Sequence, residues 1–114
     1  MNRAALAEML NGQTTACEPA KAALLGGGDF VIWDGTVPGQ QLARIYAARH
    51  RRAMRRGAET LALSTTVDIL TQYGTAPLRI GSIFTRDRTW AFMLFLAEDA
   101  SVVLACTGVR RADQ

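Results

Sequence analysis

Six of the chain's thirteen basic side chains fall within thirteen residues: Arg44, Arg49, Arg51, Arg52, Arg55 and Arg56. No Asp or Glu interrupts the stretch. Guanidinium groups stay charged at any physiological pH and bind carboxylates or phosphates through paired donors. Thirteen less six leaves seven basic side chains to set against ten acids elsewhere, so a net charge of +3 resolves into a cationic segment on an anionic body. The chain has a single lysine, Lys21. A preference for Arg over Lys also arises from GC-rich coding, so it is the clustering that carries information.

The remaining chemistry is thin. His50 is the only histidine. One imidazole supplies one general base at most, and neither Ser64 nor Cys106 comes with an orienting carboxylate that the sequence places. A packed structural histidine is the simpler reading. Cys17 and Cys106 form no CxxC pair, and the chain lacks the Cys and His for a zinc site of usual spacing. Two reduced thiols in a cytoplasmic protein are expected, with pairing of the two distant cysteines in the fold as the alternative. Gly26-Gly27-Gly28 stands after a helix and before a strand, the reverse of a phosphate loop, and reads as a helix terminator. Asp29, Asp34, Asp68, Asp87, Glu98 and Asp99 sit where turns are expected and read as turn formers, with no signature of acid/base catalysis. No cofactor, metal site or catalytic set is expected.

These residues need elements to hold them. Asn2 caps a helix over Arg3 to Leu10, stopped by Gly12. Thr15-Ala-Cys-Glu18 fits a capping box for a second helix that runs to Leu25. Phe30-Val-Ile-Trp33 reads as a short buried strand. A helix over Gln40 to Arg56 carries the arginines, with Gly57 as its stop. At about 100° per residue with Leu42 at zero, Ile45, Tyr46, Ala53 and Met54 share the apolar side. Arg44, Arg51 and Arg55 point directly away from it, and Arg49, Arg52 and Arg56 flank one edge.

Residues 60–73 are either one helix or a strand near 60–64 followed by a helix near 66–73 capped by Thr65; the split reading is preferred. Leu78 to Thr85, Thr89 to Ala97 and Ser101 to Gly108 are three strand-like runs with three-residue gaps, hence an antiparallel meander. The tail Arg110–Gln114 reads as frayed. Residues 91–96 are apolar on both alternating faces, so that strand is central and covered on both sides, by helices or by a partner chain. Trp33, Trp90, Phe92 and Phe95 are expected in the core, or on an apolar face that supports homodimerisation through the sheet.

The fold class is therefore α+β: one domain over residues 1–114, with a mixed, mainly antiparallel sheet ending in a three-stranded meander and N-terminal and central helices packed on it. The longest apolar run, Trp90 to Ala97, is far short of a membrane span, so no membrane partner is expected. Glu8 breaks the N-terminal apolar stretch, so no secretory signal is expected either. The leading functional reading is a small non-enzymatic binding protein that presents its arginine helix to an anionic partner, either nucleic acid or an acidic protein surface. The stripe lacks interleaved aromatics, which argues against a single-strand stacking platform. Two alternatives stand beside it: an inhibitor, immunity or adaptor protein docking through its sheet, and a small enzyme or ligand-binding domain. The plainer reading of the stripe itself is a solvated face, or arginines neutralised by the ten acids elsewhere in the chain.

Overall fold

The computed structural model describes residues 2–11 and 16–110. The elements run α1 (Arg3–Met9), α2 (Cys17–Leu25), β1 (Asp29–Ile32), β2 (Val37–Pro38), α3 (Gly39–Arg55), β3 (Glu59–Leu61), α4 (Leu63–Gln72), β4 (Pro77–Phe84), β5 (Trp90–Ala97) and β6 (Val103–Arg110). The strands form one sheet in the order β1-β4-β5-β6-β3, with β2 also on β4. Every pairing is antiparallel, and β4-β5-β6 is the expected meander. None of the described helices is long and apolar enough to cross a membrane.

β5 explains the architecture. Phe92, Leu94 and Leu96 point to one side and pack with Leu6 and Leu10 of α1 and its C-cap, and with Ala20 and Leu24 of α2. Phe95 points to the other side and packs with Leu42 and Tyr46 of α3 and Leu63 and Leu70 of α4. The two sides alternate because successive strand side chains do. The chain's own helices thus supply both covers, and at Phe95 no second chain is needed.

The N-terminal layer begins as its sequence dictates. The Asn2 side chain accepts a hydrogen bond from the Ala5 N–H at 2.8 Å, which satisfies one of the donors that a helix start leaves unpaired. Thr15, the head of the expected capping box, and Gly12, the expected stop of α1, lie outside the described residues, as does the tail beyond Arg110; Arg110 itself, expected to be frayed, is the last residue of β6 and pairs with Glu59 and Trp90. Within them, α2 opens from Ala16 at φ 64° with no side-chain cap. After α2 the chain turns through Gly27 at φ 91°. Any Cβ at Gly28 would collide with the Phe84 carbonyl, so only glycine lets β1 enter beside β4.

The cysteines correct an expectation. Cys17 and Cys106 are joined as a disulfide across a sequence separation of 89, both fully buried. Packing of α2 on β6 brings the two Cα atoms to 5.4 Å, within bridging range. Such a pairing is decided by tertiary packing and leaves no local spacing to read.

β1 also departs from expectation. It is an edge strand, not a buried one: Phe30 and Ile32 are half-buried against the α1–α2 core, while Val31 is exposed. Trp33, expected in the core, is 53% exposed, although its Nε1–H donates to Ser82 Oγ at 3.2 Å. Trp90 is half-buried, and Phe92 and Phe95 are buried as expected. The split of residues 60–73 is correct, but the helix starts earlier, at Leu63 after Ala62 at φ 60°. Thr65 is therefore not its cap. Thr66 is buried instead, and its hydroxyl donates to the Cys106 carbonyl at 2.6 Å.

Candidate anion-binding helix

α3 opens directly from β2, with Pro38 as N-cap. Gly39 is buried there because α3 starts against the end of α4: a Cβ at this position would lie 2.8 Å from the Leu70 carbonyl oxygen. α3 spans 17 residues and α4 spans 10. At 1.5 Å per residue, α3 outruns its neighbour by about 10 Å. Burial along α3 thins accordingly, and from Arg51 to Gly57 only Ala53 is buried.

The buried stripe is narrower than the helical arithmetic implies. Leu42, Ala43, Tyr46 and Ala53 are buried along with Gly39. Ile45 and Met54, assigned to the apolar side by angle, are 49% and 58% exposed. The sheet and α4 reach only the centre of the stripe, so its two margins remain in water. Ile45 and Met54 are the surface residues that sequence reasoning missed, because periodicity reports a face and not how wide a face its neighbours cover.

All six arginines of the cluster are exposed. Arg44, Arg49, Arg51, Arg52 and Arg55 belong to α3, and Arg56 is its C-cap. Among the described residues, the ion pairs are Arg79–Asp34, Arg88–Asp29 and Arg110–Glu59, and none involves this helix. Arg49 has one aromatic neighbour, its guanidinium 5.7 Å from the Tyr46 ring centre. Burial pushes the Tyr46 hydroxyl pKa above its ordinary value of 10.0, and the Arg49 charge opposes that shift only in part. Tyr46 stays neutral and serves as a packed ring, edge-on to Phe95 at 5.1 Å.

Over its last two turns the helix carries an open groove of about 420 Å³, lined by His50, Arg51, Met54 and Arg55. His50 is half-buried, and its Nδ1 has no hydrogen-bond partner among the described residues. No carboxylate lines the groove, so no charge relay is assembled there.

The acids lie elsewhere: Asp87 and Asp99 are turn formers, whereas Asp29 and Asp68, also expected in turns, lie in β1 and α4. Asp87, at the β4–β5 hairpin, accepts hydrogen bonds from the Thr89 N–H at 2.9 Å and the Thr85 hydroxyl at 2.8 Å. These bonds stabilise the carboxylate and hold its pKa below the ordinary 3.8. Asp99 accepts from the Ser101 N–H at 3.0 Å with the same consequence. Among the described residues, no group of three or more His, Cys, Asp and Glu side chains is placed to hold a metal ion. Comparison of the chain with protein-family profiles, with curated proteins and with solved structures gives no match.

Proposed function

We propose that this chain is a binding protein whose outward α3 face, Arg44, Arg49, Arg51, Arg52, Arg55 and Arg56, receives an anionic partner. One observation carries the reading: within the described residues, none of the six is in an ion pair with the protein's own acids. Like charges at helical spacing repel by a few tenths of a kcal/mol per pair, and Arg51–Arg55 and Arg52–Arg56 are such pairs. An anion against this face relieves that repulsion. The test is retention on an immobilised polyanion as salt is raised. Changing Arg44, Arg51 and Arg55 together to Glu should abolish retention. Changing Arg88 and Arg110, whose charges are met within the fold, should leave most of it. Equal loss from both sets would sink the assignment to α3.

Docking through the sheet is a second reading, and it keeps one supporting observation. Val31 and Trp33 are exposed at the β1 edge, beside the half-buried Met93. A second copy of this chain is the simplest occupant there. Sedimentation of the wild type against Trp33→Ser tests it, and a monomer in both cases removes it.

The expectation of a cytoplasmic location came from the lack of an export signal and carried two reduced thiols with it; the Cys17–Cys106 bond counts against it. Disulfides persist in oxidising compartments and are rare in the cytosol. The bond therefore supports a working location where thiols are oxidised. Thiol trapping of protein drawn from its native host, followed by a non-reducing gel, tests this; two alkylated cysteines would count for the cytoplasm.

A further inference from the structure

We infer that the partner on α3 is an acidic amphipathic helix of another protein, and not a nucleic acid. This deepens the anion-binding reading and rests on it. The arginine field has apolar side chains set into it. Met54, 58% exposed, lies in the groove with Arg51 and Arg55, and Ile45, 49% exposed, lies on the opposite margin. Against a phosphate backbone such side chains gain nothing, because affinity there comes from charge and from polar donors. Beyond basic side chains, faces that hold nucleic acid draw on Ser, Thr, Asn, Gln, Tyr and backbone N–H groups. Gln40 and Gln41 stand at the first turn of α3, and over the last two turns, where the groove lies, the exposed polar residues are arginines alone. Protein interfaces are instead enriched in Arg and Met.

The spacing fits the same partner. Arg51 and Arg55 are four residues apart, about 6 Å along the axis. Two glutamates at the same spacing on a facing helix present carboxylates to both guanidinium forks, which bind them through two hydrogen bonds each. An apolar side chain between those glutamates drops into the groove of about 420 Å³ beside Met54. The charge pairs then set register and on-rate, and the apolar contact adds affinity that polyanions lack.

The experiment is a fluorescence-anisotropy titration at physiological salt with three probes: a helical peptide repeating Glu every fourth residue beside a Leu stripe, polyglutamate of equal charge, and duplex DNA. The Glu/Leu peptide should bind about tenfold tighter than either polyanion, the factor expected from burying one Met side chain. Met54→Ala should remove most of that preference and leave polyglutamate binding unchanged. Arg51→Gln with Arg55→Gln should weaken both acidic ligands. These positions are exposed, so the variants should fold, and circular dichroism checks it. Tighter binding of duplex DNA than of the Glu/Leu peptide, or a preference unmoved by Met54→Ala, overturns the inference while the anion-binding reading stands. Failure of all three probes to bind even at low salt overturns both.

Discussion

The two helical layers treat the same residue type in opposite ways. In the N-terminal layer Arg3, itself exposed, has its donors met by the fold: its guanidinium donates to the carbonyls of Leu24 at 2.6 Å and Gly28 at 2.7 Å and lies over the Phe30 ring. There arginine is a clasp that ties α1 to the end of α2, and the Cys17–Cys106 bond ties α2 to the sheet. In the other layer, α3 and α4 are packed on the sheet by apolar side chains, and the exposed arginines of α3 have no ion pair among the described residues, Arg49 alone lying over an aromatic ring. An arginine whose donors are met inside the fold contributes to stability. One that repels its neighbours in solvent costs a little stability and is explained by something outside the fold.

Core and covalent changes test this contrast with the largest effects. Phe95→Ala, which empties the packing beneath Tyr46, should destabilise by about 3–5 kcal/mol in urea denaturation. Replacing Cys17 and Cys106 together by Ala should cost about 2–4 kcal/mol, and more if the 89-residue separation counts in full through the unfolded chain's lost entropy. Arg3→Ala should cost about 1–2 kcal/mol, because the Leu24 and Gly28 carbonyls lose a charged donor. Arg51→Gln should move stability the other way, by a few tenths of a kcal/mol, by relieving repulsion with Arg55. If the two arginine substitutions shift stability in the same direction and by the same amount, the contrast between the layers collapses.

Titration gives the smallest and most local effects. Asp87 and Asp99 have folded pKa values below 3.8. Their stabilisation is present above that value and fades as pH falls through the lowered pKa. Asp87→Asn should therefore blunt the acid side of the stability profile slightly, without touching anion binding. Tyr46 behaves in the opposite sense. Its pKa is raised above 10.0, so its contribution holds below that pH and is lost as pH climbs through the higher folded value. Tyrosinate absorbance should show a late-titrating residue that Tyr46→Phe removes.

Much of the chain declares itself locally. The meander, the Asn2 cap, the α3 helix and the Gly26–Gly28 turn were legible because each depends on neighbours within a few residues. The arginine cluster was legible for the same reason, since an uninterrupted run of like charge is a property of the segment. Other features were not. The β1 strand has the composition of a buried strand but lies at the sheet's edge, and β2 is too short to leave a pattern. Ile45 and Met54 follow the helical period of the core, yet their neighbours leave them 49% and 58% exposed.

Sequence alone determined an α+β chain with a terminal meander and a cationic helix, because side-chain period, turn residues and charge runs act over short distances. Only the tertiary structure decided which of those charges are answered. Arg88 finds Asp29 across 59 residues, Arg110 finds Glu59 across 51 and Cys17 finds Cys106 across 89. Each partnership depends on which strand lies beside which, information that no window along the chain contains. The same arrangement sets the longer α3 beside the shorter α4 and leaves its arginines exposed.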